Sequence, residues 1–150
     1  MARSTGLAPR RGYTLDAQTV LVGAVRAGAR GRAAATRTGA EQILNTRLDA
    51  QDVFKIVVHG DASAAGQYTI QVAHVAEGSS TVSTYGTVAV VTLAPGIQEI
   101  PLSGATVREI ARTAPNPDIT GDVRVVAIKA VAGTEANAPA GANTISVQYA

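Results

Sequence analysis

The chain has 150 residues and a mass of 15.2 kDa, enough for one domain, and a domain of that size buries roughly 68–70% of its unfolded surface. Hydrophobic residues make up 46% of it but aromatic ones only 3%, with no Trp and one Phe. The core is therefore aliphatic, and neither a sugar-stacking nor a base-stacking platform can be assembled from so few rings. The net charge of +2 conceals a division. Residues 1–48 set eight arginines against two acids, a balance of +6, while five basic and nine acidic residues leave the remainder at −4.

Cysteine is absent, which excludes a disulfide framework, a thiolate nucleophile and a Cys-ligated metal. The start lacks the apolar stretch of a secretory signal, and no apolar run approaches the roughly 20 residues that span a bilayer. A soluble protein made in a reducing compartment, with no membrane partner, is expected.

In chain order, residues 1–18 carry the breakers Gly6, Pro9 and Gly12 and no sustained period, so they read as an extended leader. Thr19–Val25 has β-forming residues and predicts a strand. The stretch Arg26–Gly39 is rich in Gly, Ala and Arg and lacks the bulky apolar surface to drive its own burial. It reads as an arm ordered by contact, against the plainer alternative of a surface loop. Residues 1–40 are thus expected to form an extended basic N-terminal arm with a strand near 19–25. Residues 41–150 are expected to form the folded body, which should survive removal of the arm.

From Glu41–Leu44, a further short strand, the pattern changes. Phe54, Ile56 and Val58 alternate with Lys55, Val57 and His59; Tyr68, Ile70 and Val72 alternate with Thr69, Gln71 and Ala73; Ile145, Val147 and Tyr149 alternate with Thr144, Ser146 and Gln148. A period of two puts each set on one face of a strand. Thr87–Leu93 and Val123–Val131 are apolar on both faces and are expected near the middle of a sheet. Turn clusters at Gly60–Ser63, Glu77–Ser80, Ala94–Gly96 and Ala132–Thr134 separate these runs. Ile97–Leu102 is one more strand. One helix follows it, with Ser103 as N-cap, Val107, Ile110 and Ala111 on one face, and Ala114–Pro117 as its end. Glu135–Gly141 reads as a loop. About eight strands result, the number of an antiparallel jelly-roll sandwich, with an immunoglobulin-like arrangement as the alternative.

The inventory for catalysis is thin. His59 and His74 are the only neutral-pH bases. They approach one another only if Phe54–His59 and Tyr68–Val75 form a hairpin, and a metal there would still lack a third ligand. The Gly60-Asp61 turn aims the Asp61 carboxylate away from His59. Asp118 and Asp122 read as turn formers rather than a cation site. No nucleophile elbow, phosphate-binding loop or metalloprotease motif occurs. No enzyme activity, cofactor or metal is expected.

The arm carries the chemistry instead. Arg3, Arg10, Arg11, Arg26, Arg30, Arg32 and Arg37 supply planar forks that bond carboxylates or phosphates, and no lysine occurs in the first 48 residues. An acidic protein surface and nucleic acid both satisfy such forks. Spacing by Gly, Ala and Thr favours the protein surface.

The run Asp52–His59, the loop Ala62–Gly66, Gln67–Val72, then Gly96–Gly104 leading into a short helix, and Asp122–Ile128 together resemble the small jelly-roll cement or decoration proteins of tailed-phage heads. The resemblance covers about residues 50–150. It implies a structural virion protein on the outer surface of the capsid, made in the host cytoplasm. It further implies that this protein binds the major capsid protein as a homodimer or homotrimer and clamps neighbouring subunits to stabilise the head. The family brings no catalytic residues. Other readings are a jelly-roll shell protein whose arm binds packaged nucleic acid, a receptor- or carbohydrate-binding virion module, and, last, a small metal-dependent β-barrel enzyme.

Overall fold

A computed structural model of the protein describes residues 18–23, 39–44, 48–75, 82–113 and 125–149. Among the described residues eight strands alternate with turns: β1 (Gln18–Val22), β2 (Gln42–Ile43), β3 (Val53–Gly60), β4 (Gln67–His74), β5 (Gly86–Thr92), β6 (Gly96–Ser103), β7 (Val126–Ala132) and β8 (Thr144–Tyr149). Helix α1 (Gly104–Thr113) joins β6 to β7, and a 3₁₀ turn at Glu135–Asn137 interrupts the expected loop before β8. The strands form two four-stranded antiparallel sheets in the orders β1-β8-β3-β6 and β2-β7-β4-β5. Every connection except β4–β5 crosses from one sheet to the other, which is the double Greek-key wiring of a jelly roll.

The two-residue alternation places the core as expected. Phe54, Ile56 and Val58 from β3, Tyr68, Ile70 and Val72 from β4, and Ile145 and Val147 from β8 are all 2% exposed or less. They meet Val126, Ile128 and Ala130 from β7 between the sheets. Each large aliphatic or aromatic side chain so buried contributes about 1.5–3 kcal/mol.

Two expectations need correction, and one condition is not met. Thr87–Leu93 does not lie mid-sheet: among the described strands β5 pairs only with β4, and Val90 on it is 56% exposed. Its apolar run has another cause, a bulge opposite Ile70 and Gln71 that turns both Val88 and Ala89 towards the core. The hairpin on which an approach of His59 to His74 depended is absent, since β3 and β4 belong to opposite sheets. The strand expected near residues 19–25 forms as β1, but it is part of the body and not of an arm. A register shift between Val20 and Val22 lets both Leu21 and Val22 point inwards, where they are 2% and 3% exposed. Gly39 packs so closely on β1 that a Cβ there would lie 2.0 Å from the Leu21 carbonyl oxygen, and its N–H bonds Ala130 on β7. The sandwich therefore begins upstream of the expected boundary at residue 40.

The helix start follows the sequence closely. The Ser103 hydroxyl accepts the Thr106 N–H at 3.2 Å, an N-cap bond, and Val107 and Ala111 are fully buried. The helix ends at Thr113, and Ala114–Pro117 falls outside the described residues.

Candidate interaction surface

None of the seven arginines assigned to the arm lies within the described residues, but β1 fixes where their segments attach. Gln18 sits opposite Gln148 near the end of β8, so the segment bearing Arg3, Arg10 and Arg11 joins the sandwich at the end where β3 begins. Val22 sits opposite Ile145, and Gly39 bonds Ala130. The connection bearing Arg26, Arg30, Arg32 and Arg37 thus leaves and returns at the other end. β1 divides the cationic residues into two groups with attachment points roughly 13 Å apart, four strand steps of about 3.3 Å from Gln18 to Val22.

The end that anchors the 24–38 connection is a framework of interlocked turns. Ala65 and Ala140 exchange both backbone hydrogen bonds, at 3.2 and 2.8 Å; Leu93 N–H bonds Gly66, and Gly133 N–H bonds Gln67. Asp61 ties two of these turns together. One carboxylate oxygen accepts the Ser63 N–H and hydroxyl at 2.9 Å each, and the other accepts the Ala142 N–H at 2.8 Å. Asn143 adds bonds from its amide to the carbonyls of Ala140 and Gly141.

The histidines are not brought together. His59 is exposed at the end of β3 between Ile97 and Thr144, whereas His74 is the last residue of β4. Seven strand steps, about 23 Å, separate His74 from the β3-proximal end of β4. His74 is half-buried and its Nδ1 has no hydrogen-bond partner among the described residues. Among the described residues no three His, Cys, Asp or Glu side chains group to hold a metal ion. Asp118 and Asp122 lie outside them.

The outward face of the β1-β8-β3-β6 sheet is uneven. Val20, Val53 and Ile97 stand 46%, 54% and 65% exposed. Val57 and Ser146, in the two central strands, are only 4% and 1% exposed, and the Ser146 hydroxyl has no hydrogen-bond partner among the described residues. Lys55 reaches Glu99 at 2.6 Å across β3 and β6; with side chains 37% and 52% exposed, such a pair is worth at most about 1 kcal/mol.

The other outward face holds a group that strand parity alone does not reveal. Tyr85 precedes β5, an edge strand, and its hydroxyl bonds the Glu41 carboxylate beside β2, the opposite edge. Three strand spacings of about 4.8 Å separate those edges, a gap that a Tyr and a Glu span end to end. Lys129 on β7 places its Nζ 3.9 Å from the Tyr85 ring centroid. Burial, then the hydrogen bond and charge of Glu41, push the Tyr85 phenol well above its ordinary value. The only sequence signal was the pair of small residues Ala73 and Ala127, both fully buried on that outward row.

Compared with known proteins, the chain matches no family model, no curated protein and no solved structure.

Proposed function

We propose that this chain is a non-catalytic structural protein of a virion, a cement or decoration protein that sits on the outside of a capsid lattice and clamps neighbouring major capsid subunits. The observation that carries the reading is the division of the arginines by β1. A rigid jelly roll with cationic segments attached at opposite ends has two grips, and two linked grips bind far more tightly than either alone, through effective concentration. Guanidinium forks suit the carboxylates of an acidic protein surface. The sandwich between them acts as the spacer that sets the distance between gripped neighbours.

Sedimentation with purified heads tests this in the full chain. Replacing Arg3, Arg10 and Arg11 by Ser, or Arg26, Arg30, Arg32 and Arg37 by Ser, is expected to weaken attachment in each case, and replacing both groups to abolish it. Attachment unchanged by either set overturns the clamp. Binding to free nucleic acid that falls steeply with salt, about 0.9 in log K per log salt for each neutralised phosphate, supports the packaged-genome reading in its place.

A further inference from the structure

We propose that Tyr85 is a strap across the outward face of the β2-β7-β4-β5 sheet that holds the edge Gly39–Ile43 in place, and that this edge opens ahead of the rest of the sandwich when the strap is released. The starting point is what the edge lacks. β2 has two residues, and β7 is its one partner among the described strands. From Gly39 to Ile43 no side chain is buried, and Leu44 is the first to enter the core. The Gly39 N–H bonds the Ala130 carbonyl at 2.9 Å, and the Leu44 N–H bonds that of Val126 at 2.9 Å. Each such bond contributes only modestly in water, and a strand without apolar burial beneath it belongs to the low-stability end of a fold.

The root of the strap is rigid by contrast. Two residues before Tyr85, Ser83 is tied to the end of β4: its hydroxyl accepts the His74 N–H, and its own N–H bonds the His74 carbonyl, both at 2.9 Å. One residue after Tyr85, Gly86 pairs with Val72. Tyr85 is thus fixed between two anchors at the β5 edge, and its side chain reaches over the sheet. On the row it crosses, Ala73 and Ala127 pair with each other across β4 and β7 and carry nothing beyond Cβ to obstruct it. Lys129 on β7 stands against the ring, and Glu41, one residue before β2, accepts the hydroxyl. Burial and the neighbouring carboxylate keep the phenol protonated and therefore a donor. The bond joins an anchored edge to an unanchored one, so the anchored side holds the other. The strap concerns the free protein and stands apart from the capsid reading.

Native-state hydrogen exchange in the full chain tests this. The Gly39 amide reports the edge, and the amides of β3, a strand paired on both sides, report unfolding of the whole sandwich. Gly39 is expected to exchange faster than β3 and with little dependence on low urea, the mark of a partial opening. Tyr85→Phe removes only the hydroxyl and is expected to quicken exchange at Gly39 about fivefold, the net strength of one hydrogen bond. Glu41→Ala is expected to do the same, and the double variant to exchange no faster than either single one. Both positions lie outside the core, so the variants fold. A Gly39 amide as slow as those of β3 overturns the proposal, as does one that ignores Tyr85→Phe. Effects of the two substitutions that simply add also overturn it, since they would not act through one bond.

Discussion

At Gly104 an added Cβ would lie 1.9 Å from the Asp49 carbonyl oxygen, while the Gly104 N–H bonds the Asp52 carbonyl at 2.7 Å. The turn before β3 and the start of α1 are locked together there, so Gly104→Ala is expected to cost about 2 kcal/mol or more by forcing backbone apart. Ser103→Ala removes only the cap and is expected to cost about 1 kcal/mol. Urea midpoints check both, and the order Gly104 above Ser103 is the test. Tyr85 makes a pH-dependent contribution. Its phenol is held above the ordinary value of 10.0, so the folded state binds that proton more tightly than the unfolded chain. The resulting stability is fully present below pH 10 and falls away as pH rises through the higher folded value. Tyr85→Phe is therefore expected to be about 1 kcal/mol less stable than the parent near neutrality, and this deficit is expected to shrink in alkaline solution. A gap that widens between pH 9 and pH 11 contradicts the assignment.

Among the elements, β1 changes most in moving from sequence to structure. Thr19–Val25 announces a strand by composition, but nothing in a linear reading shows that a bulge would turn two consecutive residues, Leu21 and Val22, into the core. Leu21→Ala is expected to cost about 2–4 kcal/mol, the price of a core cavity, and a chain starting at residue 41 is expected to unfold at lower urea than the full chain. Equal stability of the two would return β1 to the arm. Elsewhere the alternation of β3, β4 and β8 and the cap of α1 were legible because each is set by neighbours in sequence. The edge position of β5 and the Glu41–Tyr85–Lys129 group were not, because both depend on which strands are adjacent in the sheets. As for the candidate surface, the sequence locates every arginine, and only the fold separates them into two groups.

At the scale of the whole molecule, a sandwich must keep its open edges from pairing with other chains, and among the described strands all four edges are blunted. β1 and β5 carry bulges, and β2 has two residues. β6 is the long, regular edge, paired with β3 over eight positions, and it holds Pro101. A proline fits such a strand only where its missing N–H faces away from the partner, so it leaves a gap in the open edge. Pro101→Val is expected to raise light scattering on storage while leaving the core intact; unchanged solubility would show that the edge is protected by other means. Edges disabled in this way leave the outward faces and the turn framework as the described surfaces not guarded against strand pairing.

The account turns on this chain being a stoichiometric component of a capsid exterior. Quantifying it in intact purified particles by gel densitometry, with and without brief protease treatment, tests that most directly. The account predicts a fixed, small-integer ratio to the major capsid protein and accessibility of the bound chain from outside. Absence from particles, or presence only inside a protected shell with the nucleic acid, would contradict it.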